Sequence, residues 1–338
     1  MKKKIGIVGL GKMGILHGAL LHQLPDVEIV AATDTSPFVL RVFRSFLPSL
    51  SYFTSYQKML STMNLDALVI ATPSSNHVPI ALAALEHGVD LFIEKPLSNT
   101  FDSAKELYAK TRGRNIVSMV GYCLRYMPTF EKAREAVHAG MIGKVTHIEA
   151  EMYISDVLSP QSGWRYDPLR SGGGVVIDLT VHVFDLLYWF FGRPSKVAAT
   201  TTKIYSKLVE DEASITLYYG DKEASIRTSW SSVEHRKSYS RMRIIGETGE
   251  IVVTDQTLEI TDRNGRKTKE SYAQMYQGYY FDIGGPNYSV QMLKFAEAIA
   301  NRKNPEADLE SALVVQYLVS SVYESAQRGA PVELTYAF

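Results

Sequence analysis

Between residues 5 and 34 the order of elements leaves this chain little choice of fold. A short apolar run, Ile5-Gly6-Ile7-Val8, leads into Gly9-Leu10-Gly11-Lys12-Met13-Gly14 and then a helical stretch; a second apolar run, Val27 to Thr33, ends in Asp34. G-x-G-x-x-G alone is a weak signal. A strand before it, a helix after it and an acid at the end of the next strand, about 20 residues on, turn it into the dinucleotide-binding fingerprint. Gly9 permits the tight turn, Gly11 lets the backbone approach a pyrophosphate, and Gly14 lets helix and strand pack closely. Lys12 and Met13 belong to the same loop, and the pyrophosphate sits at a helix N-terminus that favours negative charge. A glycine-rich turn with no ligand is the structural alternative.

Asp34 sharpens the cofactor. A carboxylate there accepts hydrogen bonds from the adenosine ribose and repels a 2′-phosphate, which favours NAD. Arg41 and Arg44 keep NADP open. Asp34 also reads as a cap for the next helix, ahead of Thr35, Ser36 and Pro37.

Ile5 to Val8, Glu28 to Thr33, Ala67 to Thr72, Asp90 to Ile93 and Ile116 to Gly121 read as short buried strands separated by helices. That alternation predicts a doubly wound parallel sheet. Ligands then bind at the strand C-termini, where Thr72-Pro73, Glu94-Lys95-Pro96 and Gly121-Tyr122 join the glycine loop. The expected domains are 1–122, nucleotide-binding, and 123–338, for substrate and oligomerisation. In the second, a helix from Thr129 to Ala139, a strand from Val145 to Ile154 and a Ser/Pro/Gly-rich loop to Gly174 precede a strongly apolar helix, Val175 to Phe191. From Val197 to Ser271 the period-two alternation of segments such as Ser214-Ile215-Thr216-Leu217 predicts half-buried antiparallel strands. Two helices, near Val290 to Ala300 and Leu309 to Gln327, and a short terminal strand complete the chain.

Composition excludes several classes. At 338 residues, 46% hydrophobic and 21% charged, the chain is an ordinary globular one of about two domains. Lys plus Arg and Asp plus Glu each number 36, so no basic face points to nucleic acid. A single cysteine, Cys123, excludes an intrachain disulfide and fits a reducing cytoplasm. Lys2 to Lys4 mimic the start of a signal peptide, but Lys12 and the glycines interrupt the apolar run behind them. No run reaches roughly 18 uninterrupted apolar residues, so no membrane span is expected; Val175 to Phe191, the nearest, is broken by Asp178, His182 and Asp185.

That helix carries the strongest chemical hint. At α-helical spacing its three polar residues fall within roughly 60° of arc on an otherwise apolar cylinder, and a buried polar stripe costs energy unless paired. His182 is a natural proton carrier near neutral pH, and Asp185, one turn on, is placed to fix its tautomer. A helix-capping Asp178 with a satisfied core histidine is the equal alternative. Asp and His four apart can share a metal, but no third and fourth ligands match, so none is expected. Lys95 comes directly after a buried strand, and Pro96 biases it toward an extended backbone. Such a lysine can hold a substrate hydroxyl and stabilise an alkoxide; a solvated loop lysine is the plainer reading.

Together these motifs resemble the Gfo/Idh/MocA oxidoreductases, the glucose–fructose oxidoreductase and inositol dehydrogenase family. Gly9 to Gly14 is similar to its nucleotide loop, Ala71-Thr72-Pro73-Ser74-Ser75-Asn76-His77 to its third-strand motif and Glu94-Lys95-Pro96 to its lysine tripeptide. Gly121-Tyr122-Cys123-Leu124-Arg125-Tyr126 resembles the domain-linking motif, and Gly172-Gly173-Gly174-Val175-Val176-Ile177-Asp178 with His182 the active-site helix. The resemblance implies an α/β fold: a Rossmann domain, then an α/β domain with a large, open, mainly antiparallel sheet that often builds dimers or tetramers.

It also implies roles. Lys95 holds and polarises the reacting oxygen, His182 is general base or acid, and Asp178 orients the substrate. Thr72, Pro73 and His77 flank the cofactor, with Glu94 near the nicotinamide ribose. Tyr122, Arg125, Tyr153, Trp164, Arg165 and Tyr166 suit a pocket for hydroxyls and ring faces, or ordinary domain packing. The expected activity is hydride transfer between NAD(P) and a secondary hydroxyl of a sugar, cyclitol or sugar nucleotide. A redox-assisted glycoside hydrolase or lyase, and a non-catalytic NAD-binding regulator, remain alternatives.

Overall fold

The computed structural model describes residues 2–275 and 284–338. The chain divides into two units, Met1–Tyr122 with Tyr279–Leu313, and Cys123–Gly278 with Val314–Phe338.

In the first unit, strands β1 (Lys3–Val8), β2 (Val27–Thr33), β3 (Ser51–Phe53), β4 (Ala67–Ile70), β5 (Asp90–Ile93) and β6 (Ser118–Val120) alternate with helices α1 (Lys12–His22), α2 (Pro37–Phe46), α3 (Tyr56–Thr62), α4 (His77–Glu86) and α5 (Phe101–Thr111). The sheet is parallel, in the order β3-β2-β1-β4-β5-β6. Strand order reverses between β1 and β4, which opens the crevice at their C-termini where dinucleotides bind in such sheets. β4 and β5 are buried at every residue, as a parallel sheet covered on both faces requires. β3, three residues long, carries no hydrophobic period by which to recognise it. Ser36 caps α2, its side chain accepting the Val39 N–H at 3.4 Å, with Pro37 in the first turn. Asp34 is therefore not the helix cap; it stands two residues earlier.

The first unit breaks off after Tyr122 and takes in the helix Pro286–Asn301 and the turn behind it. The reason is the sheet's need for cover. The Tyr288 ring lies 6.3 Å from that of His17 and Phe295 lies 5.5 Å from Phe92. At the β6 edge, Val120 N–H donates to the Ala307 carbonyl at 2.8 Å and Ser118 N–H to Asn304 Oδ1 at 2.9 Å. Those bonds occupy an edge that would otherwise template further strand pairing.

The second unit contains helices α6 (Pro128–His138), α7 (Pro168–Ser171) and α8 (Val181–Phe191) and strands β7 (Val145–Tyr153), β8 (Lys196–Thr202), β9 (Glu212–Tyr219), β10 (Lys222–Ser229), β11 (Tyr239–Gly246), β12 (Glu250–Thr254), β13 (Thr257–Thr261), β14 (Lys267–Ser271) and β15 (Val332–Glu333). They form one nine-stranded sheet, β14-β13-β12-β11-β7-β10-β9-β8-β15, antiparallel except where β7 meets β10. Alternation sets its faces. Ile148, Ala150 and Met152 of β7, Ile215 and Leu217 of β9 and Met242 and Ile244 of β11 are buried. The other face carries charged ladders such as Arg243 with Glu149 and Glu250. Helix α6 packs on β12 and β13, and α8 on β7.

Pro168–Phe191 is long and apolar enough to cross a membrane, yet 78% of its most apolar window is buried inside the protein, as befits a core helix. It is not one continuous α-helix as expected. Val176–Thr180 form a π-helical turn before α8. The Thr180 hydroxyl donates to the Val175 carbonyl five residues back at 3.2 Å, which supports the wider turn.

Candidate active site

The first unit builds a nucleotide cradle from backbone. Gly9 turns with φ +94°, and a Cβ there would lie 2.4 Å from the Ala71 carbonyl oxygen. A Cβ on Gly14 would lie 1.8 Å from the Gly9 oxygen. Packing forces both glycines. Gly11 differs: a Cβ there would meet nothing within 4 Å. The space lies over the start of α1, an end that no side chain caps, with Lys12 exposed and Met13 half-buried beside it. Open room above uncapped N–H groups fits a pyrophosphate.

Asp34 closes the other side of this loop. Its Oδ2 accepts the Leu10 N–H at 2.9 Å and its Oδ1 the Ser36 N–H at 2.8 Å. The carboxylate thus braces the glycine turn while standing at the end of β2, where a ribose-binding acid belongs in this fold. These residues fit a dinucleotide.

Past β4 and β5 the same edge carries a polar cluster. His77 is buried, with Nδ1 2.8 Å from the Pro96 carbonyl oxygen and Nε2 2.8 Å from that of Thr72. It ties the Thr72-Pro73 turn to the Glu94-Lys95-Pro96 turn, whose Lys95–Pro96 peptide is cis. Burial pulls the His77 pKa down, against the two carbonyls and Glu94, which favour the charged ring. Glu94 is buried; its Oε1 lies 2.5 Å from His17 Nε2 and its Oε2 accepts the Lys95 N–H at 3.1 Å. Burial opposes its charge, but the His17 contact, with Lys95 and His77 close by, holds its pKa below the usual carboxylate range. Lys95 itself is half-buried.

The second unit assembles the remaining candidates. Asp178 lies in the π-helical turn, and His182, only 8% exposed, in the first turn of α8. Asp178 Oδ2 accepts from Arg165 Nη2 at 2.6 Å, and Arg165 Nη1 donates to Asp156 Oδ2 at 2.7 Å. Burial disfavours the Arg165 charge, yet Asp178 and Asp156 more than compensate and its pKa is raised. The guanidinium also lies over the Tyr166 and Trp230 rings. Trp164 begins the 3-10 turn that presents Arg165 and is half-buried.

Arg125 is buried in a 3-10 turn and grips Asp185, Nε to Oδ2 at 2.7 Å and Nη2 to Oδ1 at 2.6 Å. Asp185 thus receives a bidentate guanidinium in addition to standing one turn from His182. Tyr153 ends β7 beside Tyr239, their rings parallel at 6.5 Å, with the His235 ring about 5 Å from each. Tyr122 is wholly buried at the end of the first unit.

Sequence reasoning passed over His17, Asp156, Glu210 and His235. No local motif marks them; His17, Glu210 and His235 meet residues distant in sequence, and Asp156 meets Arg165 within one irregular loop. Among the described residues no group of three or more His, Cys, Asp or Glu is placed to hold a metal ion.

Residues 3–122 match the oxidoreductase family with an NAD-binding Rossmann fold, and residues 130–252 match the GFO/IDH/MocA C-terminal domain. The chain belongs to the Gfo/Idh/MocA oxidoreductases. Among its relatives is the scyllo-inositol 2-dehydrogenase (NAD(+)) of Bacillus subtilis (strain 168), 23% identical, with 98% of this chain and 96% of that protein covered. The myo-inositol 2-dehydrogenase of Thermotoga maritima is 22% identical, with 98% of each covered. A solved structure of levoglucosan dehydrogenase in complex with NADH superposes with a TM-score of 0.89 at 21% identity, covering 99% of this chain and 100% of that one. At that identity the likeness is one of fold. The first unit is thus the NAD-binding Rossmann domain of an oxidoreductase.

Proposed function

We propose that this oxidoreductase transfers a hydride between a secondary hydroxyl of a sugar, cyclitol or sugar nucleotide and the nicotinamide, with NAD preferred over NADP. The observation that carries the reading is the division of labour on one helix. Arg165 Nη2 grips Asp178 Oδ2 at 2.6 Å, while His182, four residues on in the first turn of α8, brings an imidazole, the side-chain type suited to general acid–base work. The inositol substrates in the relatives' names are secondary alcohols and agree with this.

The nicotinamide supplies the hydride acceptor or donor; the chain supplies the rest. Taking hydride from a carbinol leaves a hydroxyl proton to remove. His182 takes it during oxidation and returns it during reduction. Lys95 holds the same oxygen and offsets its developing charge. Asp178, fixed by Arg165, orients the neighbouring hydroxyls, and Tyr153 and Trp164 complete the substrate's surroundings, while the buried Tyr122 and Arg125 pack within the fold. Gly9 to Gly14 and Asp34 hold pyrophosphate and ribose; Thr72, Pro73, His77 and Glu94 shape the nicotinamide end. Asp34 favours NAD because a 2′-phosphate there would face a carboxylate. A cytoplasmic homodimer or homotetramer is the expected setting.

The test is a panel of inositols, aldoses, sugar phosphates and UDP-sugars with NAD or NADP. Net NADH at about 340 nm with a polyol supports the reading. Aglycone release from glycosides without net NADH would replace it with a redox-assisted hydrolase, and cofactor binding without turnover with a regulator.

A further inference from the structure

Three consecutive N–H groups at the start of the catalytic helix converge on one distant residue. Glu210 Oε1 accepts the Gly174 and Val176 N–H groups, each at 3.0 Å, and the Glu210 backbone carbonyl accepts that of Val175 at 3.0 Å. The same Oε1 accepts the Tyr323 hydroxyl at 2.9 Å, reaching in from the helix Leu309–Arg328. Helix starts normally leave such donors to nearby caps or water. Here two go to the side chain and one to the carbonyl of a residue only 7% exposed and more than thirty residues away.

The glycines before the helix are shaped to this pair. Gly173 has φ +150°, and a Cβ there would lie 1.9 Å from the Tyr323 hydroxyl oxygen; a Cβ on Gly174 would lie 2.1 Å from the Glu210 carbonyl oxygen. The hold passes onward through the backbone. The Asp178 N–H donates to the Gly174 carbonyl at 3.1 Å, and Thr180 is tied to Val175 and, at 2.7 Å, to Thr228. Moving Gly174 therefore moves Asp178, and with it the turn leading to His182.

We propose that Glu210, locked by Tyr323, is the positioning residue for the π-helical turn that presents Asp178 and His182. It touches neither substrate nor cofactor; it sets where the two groups stand. Its neighbour Asp211 accepts from Trp230 Nε1 at 2.6 Å and so holds the ring over which the Arg165 guanidinium lies. The consecutive acids before β9 thus fix the carboxylate's helix and the cation that grips it. The catalytic consequence rests on the roles proposed for Asp178 and His182; the positional claim does not.

The test compares Glu210→Ala, Glu210→Gln and Tyr323→Phe in the full chain. Backbone amide exchange over residues 174–180, read without substrate, should accelerate at least about tenfold in Glu210→Ala and several-fold in Tyr323→Phe. Glu210→Gln, which keeps the accepting oxygen, should restore protection. With a turned-over polyol, kcat should fall about 50-fold in Glu210→Ala with KM for NAD unchanged, and recover to within about fivefold in Glu210→Gln. Unchanged protection and kcat in a folded Glu210→Ala would overturn the proposal. If that variant does not fold, unchanged exchange in Tyr323→Phe overturns it. Wild-type protein that turns over no polyol would defeat the proposed activity while leaving the exchange result to decide this claim.

Discussion

The imidazole of His17 on α1 and the carboxylate of Glu94 at the end of β5 meet at 2.5 Å, both side chains buried. The contact joins the helix that starts the nucleotide cradle to the turn that carries Lys95. A Cβ on Gly121 would come within 3.1 Å of the same carboxylate, so the ends of β5 and β6 and the helix α1 all meet at it. A hydrogen bond to a charged group contributes about 1.5–3 kcal/mol, and Glu94→Ala should destabilise the protein by about that much. Because the Glu94 pKa is depressed in the folded protein, the stability it lends is present above the ordinary carboxylate pKa. It is lost as pH falls through the lower folded value. Denaturation against pH should show a flatter acid limb in Glu94→Gln than in wild type.

The glycines of the loop separate packing from binding. Gly11→Ala should fold with an unchanged melting temperature, since its Cβ meets nothing, but should weaken NAD binding at least about tenfold by filling the space over α1. Gly14→Ala, with a backbone oxygen 1.8 Å away, should lower the melting temperature by several degrees or fail to fold. Thermal melts with and without NAD distinguish the two.

Asp34 carries two duties, so its replacement has two effects. Asp34→Asn keeps an acceptor for the Leu10 N–H while removing the charge. The ratio of kcat/KM for NAD over NADP should fall at least about tenfold, roughly 1.4 kcal/mol of discrimination. Titration of both cofactors into the variant checks this.

Arg165 bridges Asp156 and Asp178, and only a planar fork spans two carboxylates this way. Arg165→Lys should lower kcat/KM for the polyol about tenfold, because an ammonium grips one acid and releases the other. Arg165→Met leaves two carboxylates uncompensated and should lower it further, with NAD affinity unchanged. Steady-state kinetics on the two variants decides the order.

The first unit was largely legible in the sequence because each of its signals is local. Gly9 to Gly14 and Asp34 lie within one strand–helix–strand unit, and β4 and the Leu91-Phe92-Ile93 stretch of β5 announce themselves as apolar runs. The mainly antiparallel sheet was legible from alternation in β9 and β10. What escaped was non-local. The helix Pro286–Asn301 joins the first unit because the Rossmann sheet needs cover, and nothing in its own sequence names that partner. The π-helical turn depends on Thr180, and its start on Glu210, while α-helical spacing of Asp178 and His182 presumes a regular helix. Asp156 and Arg165 sit in a Ser/Pro/Gly-rich loop whose charges have no period; only the fold brings them to Asp178.

Lys95 and His182 bear the central claim. Lys95→Ala and His182→Ala should each cut turnover at least about 100-fold while NAD still binds. The most direct measurement uses a substrate polyol deuterated at its reacting carbinol carbon, incubated with the protein and NAD, with mass spectrometry of the recovered coenzyme. Hydride transfer predicts one deuterium on the nicotinamide in wild type, and the same label formed at least about 100-fold more slowly in either variant. Oxidised polyol with no deuterium on the coenzyme, or full labelling rates in both variants, would contradict the account.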